Sequence, residues 1–107
     1  DLDCIVINAT MGTGKRAGYY GSYELGVMIG DNIISVGSVG TGFTQEDLLV
    51  VHDYYDNNRE VTIMEVHADI VTQDQDGKVG LRFPRFIRLR TDKHGPSEFK
   101  NLQELLG

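Results

Sequence analysis

The sequence is poor in the residues that stabilise small secreted domains and membrane segments. It has one cysteine, Cys4, two prolines and no tryptophan in 107 residues. A single cysteine cannot form an internal disulfide, so we expect a protein of a reducing, intracellular compartment. No apolar run approaches the ~18 residues of a membrane span, and no basic-then-apolar leader is present. These deficits argue against a disulfide-bonded scaffold and against a membrane protein.

Glycine is abundant instead. Thirteen glycines, with Val, Ile, Tyr and Phe in short runs, favour strands and tight turns over helices. A length of 107 residues suits one domain with one small core, so we treat residues 1–107 as a single domain. The first residue is Asp1 and not methionine. We therefore expect a fragment of a longer protein.

Charge is unevenly distributed along the chain. The formal net charge of −6 argues, as an average, against a nucleic-acid-binding protein. Five of the ten Lys and Arg residues, however, fall within twelve residues that contain one acid, Asp92. These five are Arg82, Arg85, Arg88, Arg90 and Lys93. The pattern predicts an acidic body with one basic strip.

Alternating apolar and polar residues predict five strands and one helix. The predicted strands are residues 2–9, 22–29, 33–39, 62–70 and 81–90. Thr44 and Asp47 have the spacing of a capping box, and the helix that they begin should end near Tyr54. Gly37 suggests a bulge or a sharp bend in the third strand. Pro84 cannot donate to a ladder, so the fifth strand should be at an edge or bulged there.

Five strands with a helix between the third and the fourth is the order of an OB-fold, a small Greek-key barrel. The expected fold class is therefore all-β with one inserted helix, although other small barrels have the same tally. A short C-terminal helix after Ser97 is a further expectation.

Three motifs carry the functional information. They are GTGKRAGYYGSYELG at residues 12–26, VGSVGTGFTQEDL at residues 36–48 and LRFPRFIRLRTDK at residues 81–93. They resemble the C-terminal OB domain of ATP-dependent DNA ligases of the archaeal and eukaryotic replicative type, and the third looks like their nucleotidyltransferase motif VI. The match covers about a third of the chain in the family's order and spacing. One departure is Thr13, a position that is often basic in the family.

The resemblance implies a division of the reaction between domains. The family's reactive lysine lies in a K-x-D-G motif of the preceding nucleotidyltransferase domain, and no such tetrapeptide occurs here. The domain is expected to close over ATP during enzyme adenylylation and then to clamp nicked duplex DNA for phosphodiester formation. Alone, it should be inactive.

The resemblance also implies site residues, cofactors and partners. Arg82, Asp92 and Lys93 match the residues that orient the ATP phosphates, where guanidinium and ammonium groups stabilise phosphoryl charge. The intact enzyme should use ATP and Mg²⁺, with neither expected on this fragment. The expected partners are nicked double-stranded DNA and the nucleotidyltransferase domain of the same chain, while a sliding clamp is left open. The setting would be DNA replication, repair and recombination.

DNA contacts are expected at two places. Lys15 and Arg16 lie in the glycine-rich motif, which lacks Walker spacing and suits a backbone clamp. Arg82, Phe83 and Arg85 lie in the third motif, where an apolar wedge beside a cation is typical of minor-groove binding. Alternation with Leu81 instead favours a core position for Phe83, unless Pro84 shifts the register.

Other interpretations remain open on the sequence alone. The basic strip also suits an edge strand that charge keeps soluble. The chain also suits a stand-alone single-strand-binding OB module, or the OB domain of an RNA ligase or RNA-capping nucleotidyltransferase. The three histidines, His52, His67 and His94, lack metal-ligand spacing, so we expect no metal site. Cys4 should be a small core residue.

Overall fold

The computed structural model describes residues 2–14, 17–29, 32–57, 61–73, 75 and 79–91. In chain order its elements are β1 (Leu2–Met11), β2 (Tyr20–Ile29), β3 (Asn32–Val39), α1 (Gln45–Asn57), β4 (Ile63–His67), β5 (Ile70–Gln73), β6 (Val79–Arg82) and β7 (Arg85–Leu89). Five strands form an antiparallel sheet in the order β3-β2-β1-β4-β7, and β5 pairs with β6. The expected fold class, an OB-like β structure with one helix between the third and fourth strands, is confirmed in the described residues.

The predicted fourth and fifth strands are each broken into two. Residues 62–70 were expected to be continuous, but β4 ends at His67 and β5 begins at Ile70. Likewise, β6 ends at Arg82 and β7 begins at Arg85. Phe83 and Pro84, which we call the β6–β7 corner, separate the latter pair. Each long strand therefore leaves the main sheet and continues in the β5–β6 hairpin.

Gly37 produces the bend that was predicted in the third strand. Its φ is 120°, a value that side chains with a Cβ rarely adopt. The pairing of β2 with β3 shifts register at this point, between Leu25 and Gly26. The bend brings β3 beside β6, where the carbonyl of Leu81 lies 3.8 Å from the position of a Cβ on Gly37. The sheet therefore curls back toward its own far end, as a small barrel requires.

The core lies between the inward faces of the strands and α1. Its buried members are Leu2, Cys4, Val6, Tyr23, Leu25, Val27, Val36, Val39, Val51, Met64, Val66 and Phe86. Cys4 is fully buried, which confirms the predicted core position. Burial, with a smaller contribution from the nearby Asp3, raises the pKa of the Cys4 thiol to about 12. The thiol is therefore protonated and unreactive at neutral pH.

The capping box at the start of α1 is confirmed. The Thr44 amide donates to Asp47 Oδ2 and the Asp47 amide donates to Thr44 Oγ1, both at 3.0 Å. The helix continues to Asn57, beyond the predicted end at Tyr54. Leu48 and Val51 are its buried residues. In the described part of the chain, no helix is both long and apolar enough to cross a membrane. The C-terminal helix expected after Ser97 lies outside the described residues.

Candidate nucleic-acid interface

The β6–β7 corner turns Phe83 away from the core. Phe83 has a φ of 55°, the left-handed conformation, and no other non-glycine residue of the described chain has a positive φ. Its side chain is 71% exposed. The core position that alternation with Leu81 favours is therefore wrong. A left-handed residue ends the period-two pattern, so Phe86 takes the inward position and is buried.

The loop after β3, residues 40–43, fastens this corner. The Thr41 hydroxyl donates to the Pro84 carbonyl at 3.0 Å, and the Phe86 amide donates to the Thr41 carbonyl at 2.8 Å. Gly42 lies against the same segment, since a Cβ there would be 2.6 Å from the Phe86 carbonyl oxygen. The second and third motifs are thus in direct contact. This role of Thr41 and Gly42 was not predicted from the sequence, although both residues lie in the second motif.

A row of aromatic rings connects the corner with the base of the glycine-rich loop. Phe43 stacks on Phe86 with ring centroids 4.4 Å apart, Tyr23 lies 5.9 Å from Phe43, and Tyr20 lies 6.0 Å from Tyr23. Tyr23 is fully buried, and this burial raises the pKa of its hydroxyl. Tyr23 is therefore a core residue, and the two candidate DNA-contact segments pack against the same row of rings.

Two arginines flank Phe83 at the corner. Arg82 ends β6 and Arg85 begins β7, and both side chains are exposed. Within the described ranges, no carboxylate forms an ion pair with either guanidinium. Both groups are therefore available to an anionic ligand. Of the three residues expected at the ATP phosphates, Arg82 is described, whereas Asp92 and Lys93 lie outside the described residues.

The other arginines of the basic strip are neutralised within the molecule. Arg88 Nε donates to Glu65 Oε1 at 2.7 Å, and Arg90 Nη1 lies 3.3 Å from both Glu65 Oε1 and Asp3 Oδ1. The hydrogen bond from Arg88, followed by the charges of both arginines, lowers the pKa of Glu65. The predicted basic strip is thus divided. Arg82 and Arg85 have no ion-pair partner among the described residues, whereas Arg88 in β7 and Arg90 just after it link this segment to β4 and β1.

Backbone hydrogen bonds close the base of the glycine-rich loop between β1 and β2. The Gly12 amide donates to the Tyr19 carbonyl at 2.9 Å, and the Ala17 amide donates to the Gly14 carbonyl at 3.2 Å. Gly14 and Gly18 have positive φ values, 61° and 94°. Because residues with a Cβ rarely adopt such values, the conformation of the loop requires glycine at both positions. Lys15 and Arg16, the expected DNA contacts, lie outside the described residues.

Helix α1 supports the end of this loop. The Tyr20 amide donates to His52 Nδ1 at 3.0 Å, and the Tyr20 hydroxyl donates to Asp56 at 2.8 Å. Gln45 Nε2 donates to the Tyr19 hydroxyl at 2.6 Å. His52 therefore orients a backbone segment. In the parts of the chain that are described, no three His, Cys, Asp or Glu side chains are placed to hold a metal ion.

Known proteins similar to this chain are archaeal DNA ligases. The ligase of Methanococcus aeolicus is 34% identical over 109 residues, and that of Haloarcula marismortui is 36% identical over 105 residues; each match covers 86% of this chain. The ligase of Methanopyrus kandleri is 34% identical over 122 residues and 97% of the chain. The chain spans about a fifth of the length of these relatives, 19%, 19% and 21%. No family profile matches it.

Solved structures show the same similarity. A structure named Pmar-Lig_Pre matches 84% of this chain with a TM-score of 0.64 and 27% identity, and Pmar-Lig_PreS3 matches 83% with a TM-score of 0.63 and 27% identity. The match covers 21% and 20% of those chains, respectively. Both comparisons therefore match this chain to about one fifth of a longer protein.

Proposed function

We propose, from its homology to one segment of archaeal DNA ligases, that this chain is the OB domain of an ATP-dependent DNA ligase. It would close over ATP while the enzyme is adenylylated and would then clamp nicked duplex DNA for sealing. The chain has no K-x-D-G lysine, so it contributes to the reaction without starting it.

The outward Phe83 is the observation that carries the DNA-binding part of this proposal. A large apolar side chain that is 71% exposed gains nothing from the fold, and its left-handed backbone is unfavourable as well. Minor-groove proteins use such apolar wedges between base steps, beside cations that contact the phosphates. Arg82 and Arg85 are exposed on either side of Phe83. The corner therefore suits a distorted duplex such as a nick.

The ATP part of the proposal involves the same corner. The exposed Arg82 guanidinium can bind phosphate oxygens bidentately. Asp92 and Lys93 would complete the contact by the family resemblance. ATP supplies the adenylyl group, and these side chains would orient its phosphates. Mg²⁺, which the resemblance also implies, is assigned no ligand among the described residues. Within the whole protein, the proposed partner of this domain is the nucleotidyltransferase domain.

Binding of the chain to labelled DNA tests the proposal. Fluorescence anisotropy at low salt should show tighter binding to a nicked duplex than to an intact duplex or a single strand of the same sequence. Phe83→Ala should weaken nicked-duplex binding by about fivefold or more, because one stacked aromatic contributes about 1–3 kcal/mol. Ile87→Ala is the matched control, since Ile87 is an apolar residue of β7 that is 41% exposed and is not one of the two corner residues.

Three results would count against the proposal. Equal losses for Phe83→Ala and Ile87→Ala would mean that the corner has no special role. A preference for single-stranded DNA would favour the single-strand-binding module instead. A preference for ribonucleotide ends would favour the RNA ligase or capping enzyme.

A further inference from the structure

In the loop after β3, both the side chain and the backbone of Thr41 contact the segment at the β6–β7 corner. We propose that Thr41 is a positioning residue that holds Phe83 in its outward, DNA-facing orientation, an inference that rests on the proposed function. Thr41 itself would not touch DNA. It would act through the backbone on the C-terminal side of Phe83.

The geometry of Thr41 supports this role. Its hydroxyl donates to the Pro84 carbonyl, on the residue that directly follows Phe83. Its own carbonyl accepts from the Phe86 amide, where the chain re-enters the core. One residue thereby holds the chain at two points after the left-handed turn. A non-glycine residue keeps such a φ only where its surroundings impose it, and Pro84 has no amide hydrogen with which to secure the corner itself.

The packing around Thr41 limits how the loop can move. A Cβ added to Gly42 would lie 2.6 Å from the Phe86 carbonyl oxygen and 2.7 Å from the Phe86 nitrogen. Phe43 stacks on the Phe86 ring at 4.4 Å. Both contacts fix the loop against β7. The Thr41 hydroxyl adds a hydrogen bond to Pro84, the residue next to Phe83.

Thr41→Val and Thr41→Ser separate positioning from general stability. Valine keeps the branched shape and removes the hydroxyl, whereas serine keeps the donor. Thr72→Val is the matched control, because the Thr72 hydroxyl donates to the Gly80 carbonyl at 3.2 Å in the β5–β6 hairpin. It removes the same kind of hydrogen bond from a neighbouring part of the barrel.

The first measurement needs no DNA. Amide ¹⁵N relaxation of the 107-residue chain should show a rigid Phe83 in the native protein, in Thr41→Ser and in Thr72→Val. Thr41→Val should show a lower order parameter at Phe83, with the strand amides unchanged. An equally rigid Phe83 in Thr41→Val overturns the proposal, whatever the DNA measurements give.

The second measurement reports the contact of Phe83 with a base at the nick. Nicked duplexes that carry 2-aminopurine next to the nick should brighten when Phe83 unstacks the base. Thr41→Val should reduce this signal and weaken binding by about two- to tenfold, the effect of one lost neutral hydrogen bond. Thr41→Ser should restore both, and Thr72→Val should leave both unchanged.

The outcomes distinguish the two proposals. If the native chain neither binds the nick nor changes the fluorescence, the DNA function fails, while the relaxation data still decide whether Thr41 orders Phe83. If the native chain does both, and Thr41→Val behaves like the native chain or Thr72→Val loses as much, Thr41 has no positioning role.

Discussion

Phe83 combines two features that are unfavourable in a folded protein. A left-handed φ costs a residue with a Cβ about 1–2 kcal/mol, and the exposed ring leaves apolar surface in water. Neither cost is offset by packing of the ring. Strain of this kind is typical of residues that contact ligands, where the surrounding structure imposes the conformation. At this residue, stability and proposed function should therefore oppose each other.

Substitutions of Phe83 test this opposition. Phe83→Ala should change the free energy of unfolding by less than about 0.5 kcal/mol, as expected for an exposed side chain. Phe83→Gly should be neutral or stabilising by up to about 1 kcal/mol, because relief of the left-handed strain offsets the entropy of glycine. Both variants should lose the preference for a nick. Urea unfolding of each variant gives these values, and a loss of about 3 kcal/mol for Phe83→Ala would return Phe83 to the core.

Glu65 predicts how acid affects stability. Hydrogen bonds and charge from Arg88 and Arg90 lower its folded pKa below the ordinary 4.5. A lowered folded pKa stabilises the protein above the unfolded pKa, and this contribution is lost as pH falls through the folded value. Glu65→Gln should therefore destabilise the chain at pH 7 and progressively less below about pH 4.5. Urea unfolding from pH 7 to pH 3 measures the difference, and a difference independent of pH would contradict this role.

At the scale of the elements, much of the fold was predictable because local chemistry determines it. Alternation located β2 and β3, the spacing of Thr44 and Asp47 located the start of α1, and Gly37 located the bend. Each of these signals acts within a few residues. The third motif, residues 81–93, was likewise recognisable from its own residues.

The corner was not predictable, because it depends on contacts across about forty residues of chain. Pro84 indicated a break, but the direction of Phe83 depends on Thr41 and Gly42. The division of the basic strip was hidden for the same reason, since Arg88 and Arg90 find their acids on β4 and β1. Periodicity assumes a continuous strand, and it fails where a distant loop imposes a turn.

Gly42 and Gly18 form a pair that isolates the contact between loop and corner. Both have left-handed φ values, 89° and 94°, but a Cβ on Gly42 would overlap the Phe86 backbone, whereas a Cβ on Gly18 would meet no described atom within 4 Å. Gly18→Ala should cost about 1 kcal/mol for backbone strain alone. Gly42→Ala should cost more, by about 1–3 kcal/mol, the range for overpacking. Thermal and urea unfolding measure the two losses of unfolding free energy. Equal losses would show that the loop moves to accommodate a Cβ at Gly42.

At the scale of the whole molecule, DNA binding by a chain with a net charge of −6 would require its cations to be concentrated on one surface. Arg88 and Arg90 are engaged with Glu65 and Asp3, so they should contribute little to DNA affinity. Arg82 and Arg85, with Lys15 and Arg16 of the glycine-rich loop, remain as the proposed phosphate contacts.

The salt dependence of nicked-duplex binding measures how many cations contact phosphate. Four contacts predict a log–log slope of about −3 to −4 for the native chain. Arg85→Gln should reduce the magnitude of the slope by about one. Arg88→Gln removes the same charge from an ion pair and should leave the slope unchanged. Equal changes in both variants would mean that only net charge matters.

In the proposed ligase, ATP and DNA would occupy the corner region in turn, at different steps of the reaction. Most of the site residues would therefore act in one step only. Asp92 and Lys93 would contact ATP while the domain is closed over the nucleotide. Phe83 and Lys15 would contact DNA after the domain has turned away from it. Arg82 would serve both steps.

Single-turnover kinetics of that ligase test the separation. Lys93→Ala should slow self-adenylylation by about two to three orders of magnitude, or about 3 kcal/mol for one charge contact in a preorganised site. Its sealing of a pre-adenylylated nick should stay near normal, because Lys93 would no longer face the reacting phosphates. Phe83→Ala should show the reverse, with normal adenylylation and slow sealing, and should melt at the native temperature because its ring is exposed. Equal losses at both steps for both variants, with their melting temperatures unchanged, would falsify the separation and leave a domain that supports both steps in one orientation.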